Sequence, residues 1–157
     1  MIKLIVAIDK NNLIGNGDKM PWHIKDEFIH FKKTTLNHAL LFGRTTFLGL
    51  PGKLEQRDNY VLSHEEIDQD CTVIHNEIEL FELFEKFKNS EKFLFISGGK
   101  SIYEKYYQFA NELIISRIKG EFNGDVYLKM DLSDYTLVKV DEFEKFNVEY
   151  YNKNNSK

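Results

Sequence analysis

The sequence predicts an α/β fold: a mixed, mostly parallel twisted sheet of about eight strands, flanked by about four helices. Short apolar, β-branched runs alternate with helical patterns along most of the chain, as in sheets whose parallel strands are joined by helices. Two runs near the C-terminus follow each other with no helix between them, which predicts an antiparallel C-terminal edge. The length of 157 residues is that of one domain, so we predict that residues 1–157 form a single domain.

The first half of the chain opens with a buried strand at residues 2–8, which are apolar and rich in β-branched side chains. Residues 9–20 follow as a loop with several Asn and Gly, and a loop of this length often has a function. Pro21 precedes a helix at residues 24–35. The other elements of this half are strands at residues 39–42, 59–63 and 72–74 and a short helix at residues 44–49.

The clearest helix lies in the second half, at residues 77–88. Its apolar side chains recur at i, i+1, i+4 and i+7, opposite a charged face, and are Leu80, Phe81, Phe84 and Phe87. A strand at residues 93–97 runs into the pair Gly98-Gly99, and a helix follows to about residue 107. The last strands are predicted at residues 113–118, 135–140 and 146–152. Ligands of such sheets bind at the carboxyl ends of the strands.

Composition excludes several classes of function. The net charge of −4 gives no general attraction to nucleic acid or to an anionic membrane, so neither is expected as a partner. The apolar run at residues 4–8 is too short for a signal peptide or a membrane span, and the single cysteine cannot form an internal disulfide. We therefore expect a cytoplasmic protein. The five histidines lack the spacing of metal ligands, and no metal is expected.

Glu27 is the strongest candidate for a functional acid. Residues 24, 28, 31 and 35 form a stripe on the first predicted helix, and Glu27 lies about 60° from its centre. A carboxylate beside a core seam is partly desolvated, as acids in functional sites often are, although its head could also reach water at the rim. The neighbouring Asp26 is the alternative, but its angle of about 200° from the start of the stripe directs it to solvent.

Two strand ends that contain glycine could bind phosphate groups. Gly98-Gly99 lies between a strand and a helix, and Gly43-Arg44-Thr45-Thr46 repeats this arrangement with an arginine and two hydroxyls. A tight turn would explain either one alone, but two such sites in a small domain fit a dinucleotide better. Gly15-Asn16-Gly17 is not the dinucleotide-binding fingerprint, because Met20 replaces the third glycine and Pro21 follows.

The chain has 18 Lys but only 3 Arg, which are Arg44, Arg57 and Arg117. A guanidinium binds a phosphate or a carboxylate through two parallel hydrogen bonds, which an ammonium cannot do. In a chain that otherwise uses lysine, each arginine is therefore a candidate for binding an anion, with an ordinary surface position as the alternative.

An ordered series of motifs along nearly the whole chain resembles the dihydrofolate reductase family. The most specific of them is Met20-Pro21-Trp22-His23, a few residues before an acidic helical position. The others are Ile5-Val6-Ala7, Leu13-Ile14-Gly15, Phe31-Lys32 with Thr35, Gly43-Arg44-Thr45-Thr46-Phe47, Arg57 with Asn59, Leu62-Ser63, Gly98-Gly99-x-x-Ile102-Tyr103 and Gly124-Asp125. Residues 65–92 carry no diagnostic match.

The resemblance implies a pterin site around Glu27. Glu27 matches the family's acidic pocket residue, which binds N3 and the 2-amino group of the pterin. Ser116 matches a hydroxyl that supports this acid, Trp22 belongs with the catalytic residues, and Arg57 matches the arginine that binds the substrate's glutamate carboxylate. The other implied substrate contacts are Ile5, Val6, Ala7, Phe28, Phe31, Lys32, Leu50, Leu54, Ser97 and Tyr103. Ser97 stands where the family usually has a larger apolar residue.

The resemblance also implies NADPH as the cofactor, with residues 11–20 as a mobile flap that closes over the nicotinamide. The pyrophosphate is expected at residues 44–46 and 99–102, and the 2′-phosphate at Arg44, Ser63 and His64, so that NADPH is preferred over NADH. The full set of implied cofactor contacts is Ala7, Ile14, Gly15, Asn16, Gly17, Asp18, Lys19, Met20, Gly43, Arg44, Thr45, Thr46, Leu62, Ser63, His64, His75, Gly98, Gly99, Lys100, Ser101, Ile102 and Tyr103.

The implied activity is the NADPH-dependent reduction of 7,8-dihydrofolate to 5,6,7,8-tetrahydrofolate by a monomer, in support of one-carbon metabolism. Two alternatives stay open: a related reductase that acts on another pterin or on a pyrimidine, and a nucleotide-binding domain without catalytic activity. An Arg57 with no role in binding would favour the first. A solvent-exposed Glu27 with no pocket beside it would favour the second.

Overall fold

The computed structural model describes residues 1–17, 20–50 and 54–155 of the chain. Within these residues, eight strands form one sheet, two short strands form a second sheet, and four α-helices and a 3₁₀ turn connect them. The strands are β1 (Ile2–Asp9), β2 (Leu13–Gly15), β3 (Ala39–Gly43), β4 (Asp58–Leu62), β5 (Thr72–Ile74), β6 (Leu94–Ile96), β7 (Glu112–Ile118), β8 (Val126–Tyr127), β9 (Tyr135–Glu142) and β10 (Phe146–Lys153). The helices are α1 (Lys25–Thr35), α2 (Arg44–Leu48), α3 (Glu77–Lys88) and α4 (Lys100–Tyr106), and the 3₁₀ turn is Tyr107–Phe109.

The large sheet has the strand order β5-β4-β3-β6-β1-β7-β10-β9. Its first six strands, from β5 to β7 in this order, are parallel to one another, whereas β10 runs antiparallel to both β7 and β9. The predicted mixed sheet with an antiparallel C-terminal edge is therefore confirmed. The predicted boundaries of these elements differ from those observed by at most two residues, because pairing decides where a strand ends and periodicity does not.

β1 is a central strand and is buried on both faces of the sheet. Leu4 and Val6 belong to the core on the side of α3, whereas Ile5 packs on the other side in a cluster with Trp22 and Phe95. Side chains alternate across a strand, so a strand that is covered on both faces is apolar at nearly every position. This explains the unbroken apolar run at residues 4–8.

The segment predicted as a loop at residues 9–20 contains a strand, so this part of the prediction is wrong. β2 pairs antiparallel with β8, which the sequence did not indicate either. The buried Asp9 carboxylate accepts hydrogen bonds from the backbone N–H groups of Asn11 and Leu13, which fixes the chain just before and at the start of β2. β2 and β8, with three and two residues, are too short to show a periodic pattern of apolar residues. Their pairing depends on contacts that are made only in the folded chain.

Replacing Gly124 with Ala should lower the free energy of unfolding by about 1–3 kcal/mol, the usual cost of forcing an extra methyl group into a packed site. A Cβ atom at this position would overlap the backbone oxygen of Gly15 and lie 2.9 Å from Cδ1 of Leu13, so β2 and β8 would be forced apart. Urea denaturation measures the difference. Gly49 is a matched control because its Cβ would make only ordinary contacts. Equal stability of the Gly124→Ala and Gly49→Ala variants would contradict the prediction.

Candidate functional site

A cleft of about 570 Å³ opens beside β1, where the chain leaves β3 and β6. Its lining is mostly apolar and includes several glycines, and such clefts with few polar groups are the usual binding sites for organic ligands. The lining residues are Ile5, Val6, Ala7, Ile14, Gly15, Gly17, Met20, Glu27, Phe28, Phe31, Phe42, Thr45, Thr46, Gly49, Leu50, Leu54, Ser97, Gly98, Gly99, Lys100, Tyr103 and Val126.

Glu27 is the acidic residue of this cleft. It lies in the first turn of α1, and only 6% of its surface is exposed. Burial raises the pKa of the Glu27 carboxyl to about 7, and the nearby Ser116 hydroxyl opposes this shift to a smaller extent. No cation among the described residues contributes to the shift. A buried carboxylate without a cation is costly, so the site is suited to a ligand that brings N–H donors or a positive charge.

Asp26, the alternative acid, is exposed, as its position on the helix predicted. Phe28 lies within the predicted apolar stripe, yet 41% of its surface is exposed, because it lines the open cleft. The stripe on α1 therefore faces the cleft at Phe28 and Phe31, whereas Ile24 and Thr35 at its ends are buried. This explains why a carboxyl on the flank of the stripe is buried more deeply than an aromatic ring within it.

Ser116 and Tyr103 approach Glu27 from other elements. Ser116 on β7 is buried, and its hydroxyl makes no hydrogen bond with the described part of the chain, although it is close enough to affect the pKa of Glu27. Tyr103 on α4 is also buried, and its hydroxyl donates to the backbone oxygen of Ile5 over 2.8 Å. Burial and the nearby Glu27 carboxylate both raise the pKa of Tyr103, so this hydroxyl stays a neutral donor.

Glycines at the ends of β3 and β6 leave the backbone accessible at the middle of the cleft. The N–H of Gly43 donates to the backbone oxygen of Gly98 over 2.8 Å, which joins the two strand ends. Gly98 has a φ of +114°, a conformation that favours glycine, and its peptide bond to Gly99 is cis. A Cβ at Gly99 would lie only 2.8 Å from Oγ1 of Thr46. A side chain at Gly99 would therefore fill the gap between the two strand ends.

A groove of about 480 Å³ continues from the cleft along the starts of α2 and α4. It shares Thr45, Thr46, Gly99 and Lys100 with the cleft. The residues that line only the groove are Gly43, Arg44, Ser101 and Glu104. Hydroxyls and two cationic side chains in one groove can bind phosphate groups. The cleft and the groove together can therefore take an extended ligand with an apolar end and an anionic end.

Arg57 is held close to the apolar wall that Phe31 provides. Its Nε donates to the backbone oxygen of Glu55 over 2.9 Å, and its Nη1 donates to Oγ1 of Thr35 over 3.2 Å. Thr35 is fully buried on α1 and donates in turn to the backbone oxygen of Phe31. Partial burial lowers the pKa of Arg57 from its ordinary value, but a guanidinium remains charged at any physiological pH.

Several predicted site residues line neither the cleft nor the groove. Trp22 is buried, and its ring packs edge-on against Phe122 with 5.4 Å between the ring centroids. The other members of this group are Asn16, Lys32, Arg57, Leu62, Ser63, His64, His75, Ile102 and Ser116. Asp18 and Lys19 lie outside the described residues.

His75 is bound between two carboxylates at the start of α3. Its Nε2 lies 2.6 Å from Glu66 and its Nδ1 lies 2.9 Å from Glu79. These hydrogen bonds raise the pKa of His75, which favours the imidazolium. Both ring nitrogens already have partners, and the implied contact between His75 and the cofactor stays a prediction.

The sequence did not indicate Phe42, Gly49 and Val126 in the cleft or Glu104 in the groove. Val126 follows the motif Gly124-Asp125, which was a usable signal. Phe42 and Gly49 had none, because an apolar strand residue and a glycine at a helix end are equally common in sites without ligands.

The described residues contain no group of three or more His, Cys, Asp or Glu side chains that could hold a metal ion. In the same residues, every helix is too short or too polar to cross a membrane.

The fold and the site define an α/β protein that binds an extended, partly anionic ligand where its parallel strands end. The family model of dihydrofolate reductase matches residues 1–155 of the chain. The dihydrofolate reductases of Mycoplasma genitalium and Mycoplasma pneumoniae are 45% and 40% identical to this chain, and each match covers 98% of both proteins. The chain therefore belongs to the dihydrofolate reductase family, and the resemblance found in its motifs is confirmed.

A solved structure supports the same assignment. The dihydrofolate reductase of Enterococcus faecalis, complexed with NADP(H) and RAB-propyl, aligns with a TM-score of 0.87 and 25% sequence identity. The alignment covers 99% of this chain and 97% of that one, so the similarity extends to the whole sheet and its helices.

Proposed function

We infer that this protein catalyses the NADPH-dependent reduction of 7,8-dihydrofolate to 5,6,7,8-tetrahydrofolate, the form used in one-carbon metabolism. The observation that supports this most directly is the buried Glu27 carboxyl in an apolar cleft. The pyrimidine edge of a pterin presents adjacent N–H donors, which a carboxylate accepts through both oxygens. Loss of NADPH absorbance that requires dihydrofolate would support the reaction, and a constant absorbance with both present would refute it.

The residues of the groove fit NADPH. A Cβ at Gly99 would fill the gap beside Thr46, so the bare backbone there leaves space for a pyrophosphate, and Arg44 and Lys100 supply positive charge. Ala7, Ile14 and Tyr103 line the part of the cleft nearer Glu27, where the nicotinamide is proposed to lie. When bound, NADPH supplies the hydride that is added to C6 of the pterin while N5 takes a proton.

Glu27 is proposed to act through its charge and its position. It holds the pterin at N3 and the 2-amino group, on the edge of the ring away from N5, so it cannot hand a proton to N5 directly. Its negative charge instead favours the protonated pterin, and water delivers the proton. Because burial makes ionisation of the free carboxyl costly, the N–H donors of a bound pterin stabilise the ionised form.

The chain around β2 is proposed to keep other water away from the reacting atoms. Ile14, Gly15, Gly17 and Met20 all line the cleft, and Met20 is nearly half exposed. Movement of this segment toward the ligand would bury Met20 and close the site, as lids do in many enzymes.

A nucleotide-binding domain without activity is not favoured, because that alternative required a solvent-exposed Glu27 with no pocket beside it. We further propose that residues 1–157 act as one domain, as a monomer in the cytoplasm, and without a nucleic-acid partner, in keeping with the net charge of −4.

Replacing Arg57 with Lys should lower kcat/KM for dihydrofolate by about 10-fold or more, on the scale of one charged hydrogen bond. Lysine keeps the positive charge but loses the planar fork that binds a carboxylate through two hydrogen bonds. Arg57 is already oriented by Glu55 and Thr35, so the fork is preorganised for a substrate carboxylate. Steady-state kinetics of the two proteins give the ratio.

The control is a dihydropterin without the glutamate tail. It should react poorly with the parent protein, because remote binding energy helps to align the ring, and it should be almost indifferent to Arg57→Lys. If this shorter substrate loses as much as dihydrofolate does, Arg57 is a structural residue, and a reductase that acts on another pterin becomes the better assignment.

A further inference from the structure

The groove carries an ion pair that the proposed function does not use. Arg44, the first residue of α2, has its Nη2 3.5 Å from Oε2 of Glu65. The side chains of Arg44 and Glu65 are 46% and 78% exposed, so a ligand can reach both. Arg44 lines the groove beside Thr45, and Glu65, which is not one of the lining residues, lies next to the groove through this ion pair.

Ser63 holds Glu65 in this position. Ser63 is buried just after β4, and its hydroxyl donates to the backbone oxygen of Glu65 over 2.8 Å. The same hydroxyl accepts a hydrogen bond from the backbone N–H of Glu65 over 3.2 Å. The two bonds fix the backbone of Glu65, so the ion pair opens by rotation of the Glu65 or the Arg44 side chain.

NADPH and NADH differ only at the 2′ position of one ribose, and the charge around that position decides between them. An arginine accommodates a 2′-phosphate, whereas an acidic side chain accepts a hydrogen bond from a 2′-hydroxyl. This chain presents both kinds of residue in one ion pair. A 2′-phosphate has to displace Glu65 from Arg44 and is then repelled by it, while a 2′-hydroxyl can donate to Glu65 and leave the pair intact.

We propose that Glu65 is a specificity-determining residue of the cofactor site, which weakens the binding of NADPH and supports that of NADH, so that the preference for NADPH is smaller than Arg44 alone would give. The proposal rests on the proposed function, because it takes Arg44 as the residue that binds the 2′-phosphate. Other exposed acids follow in the same segment, but Glu66 is paired with His75 and Asp68 lies three residues beyond Glu65, so we assign the effect to Glu65 alone.

The test is the substitution Glu65→Gln, which keeps the size of the side chain and removes its charge. The Kd of NADPH should fall by about 5-fold, the upper range for one exposed charge pair. The Kd of NADH should stay the same or rise by up to about 2-fold, since an amide oxygen still accepts a hydrogen bond. Isothermal titration calorimetry of both cofactors at low salt measures the change, and added salt should reduce it.

Asp68→Asn is the matched control, because it removes the same charge from the same exposed segment three residues further on. This variant should leave the ratio of the two Kd values within about 2-fold of the parent, because exposed charges that far apart are largely screened. An equal shift from Asp68→Asn, or an equal effect of Glu65→Gln on both cofactors, would overturn the proposal.

Failure of the proposed function would look different. If dihydrofolate is not reduced but the ratio of Kd values still responds to Glu65→Gln, the reaction is wrong and the role of Glu65 stands. If dihydrofolate is reduced but the ratio does not respond, the reaction stands and the role of Glu65 is wrong.

Discussion

Replacing Glu27 with Gln is expected to slow hydride transfer by about 100-fold or more at neutral pH, within the range of acid–base groups in enzymes. The substitution keeps the shape of the side chain and removes the carboxylate. Glutamine also brings its own N–H donors to a pterin edge that presents donors, so one of two hydrogen bonds is replaced by repulsion. The charge that favours the protonated pterin is lost as well. Single-turnover oxidation of NADPH with saturating dihydrofolate measures this step.

The same substitution is expected to stabilise the protein at alkaline pH. The pKa of Glu27 is about 7 in the folded protein against an ordinary value of 4.5, so the folded state binds more protons than the unfolded chain between these values. The contribution of this carboxyl to the free energy of unfolding is therefore fully present below pH 4.5 and is lost as the pH rises through 7. Above about pH 8, Glu27→Gln should exceed the parent in free energy of unfolding by about 2–3 kcal/mol.

Urea denaturation at several pH values tests this, and near pH 4.5 the two proteins should have similar stability. A loss of rate together with a gain in stability identifies a carboxyl kept for function, because removal of a structural carboxyl would destabilise the protein. Asp26→Asn is the control on the same helix turn and should change neither quantity, since Asp26 is exposed. Near-normal hydride transfer by Glu27→Gln would refute the proposed role of Glu27. An equal loss of rate in Asp26→Asn would assign that role to Asp26 instead.

The periodicity of α1 predicts the position of Glu27 on the helix but not how deeply its side chain is buried. Spacing along α1 placed Glu27 on the flank of an apolar stripe, and that position is correct. Ser116 on β7 and Tyr103 on α4 lie close enough to Glu27 to share pKa effects with it, but they are 89 and 76 residues away in the chain and leave no local signal. Of the motif Met20-Pro21-Trp22-His23, only Met20 lines the cleft.

The centre of the large sheet was predictable because β1, β3 and β6 are buried at nearly every position and are therefore almost entirely apolar. β2 and β8 were not, because they pair only where Gly124 lets two backbones approach closely. The ion pair between Arg44 and Glu65 could not be predicted from the sequence either. The scarcity of arginine pointed to Arg44, but its partner follows a different strand and lies in a segment with no diagnostic motif.

Replacing Arg44 with Leu is expected to weaken NADPH binding by about 10- to 150-fold and to leave NADH binding almost unchanged, the range for charge-assisted hydrogen bonds to a phosphate. Leucine keeps much of the apolar stem and removes the guanidinium. In this variant Glu65 faces the 2′-phosphate with its present ion-pair partner gone, so the preference for NADPH should shrink toward parity or reverse. Calorimetric titration of both cofactors measures the two losses.

Equal losses would show that Arg44 binds the pyrophosphate or supports the fold, which is a real alternative because Arg44 lines the groove beside Thr45 and Ser101. A loss confined to NADPH, partly restored when Glu65→Gln is added, would place the 2′-phosphate between these two side chains.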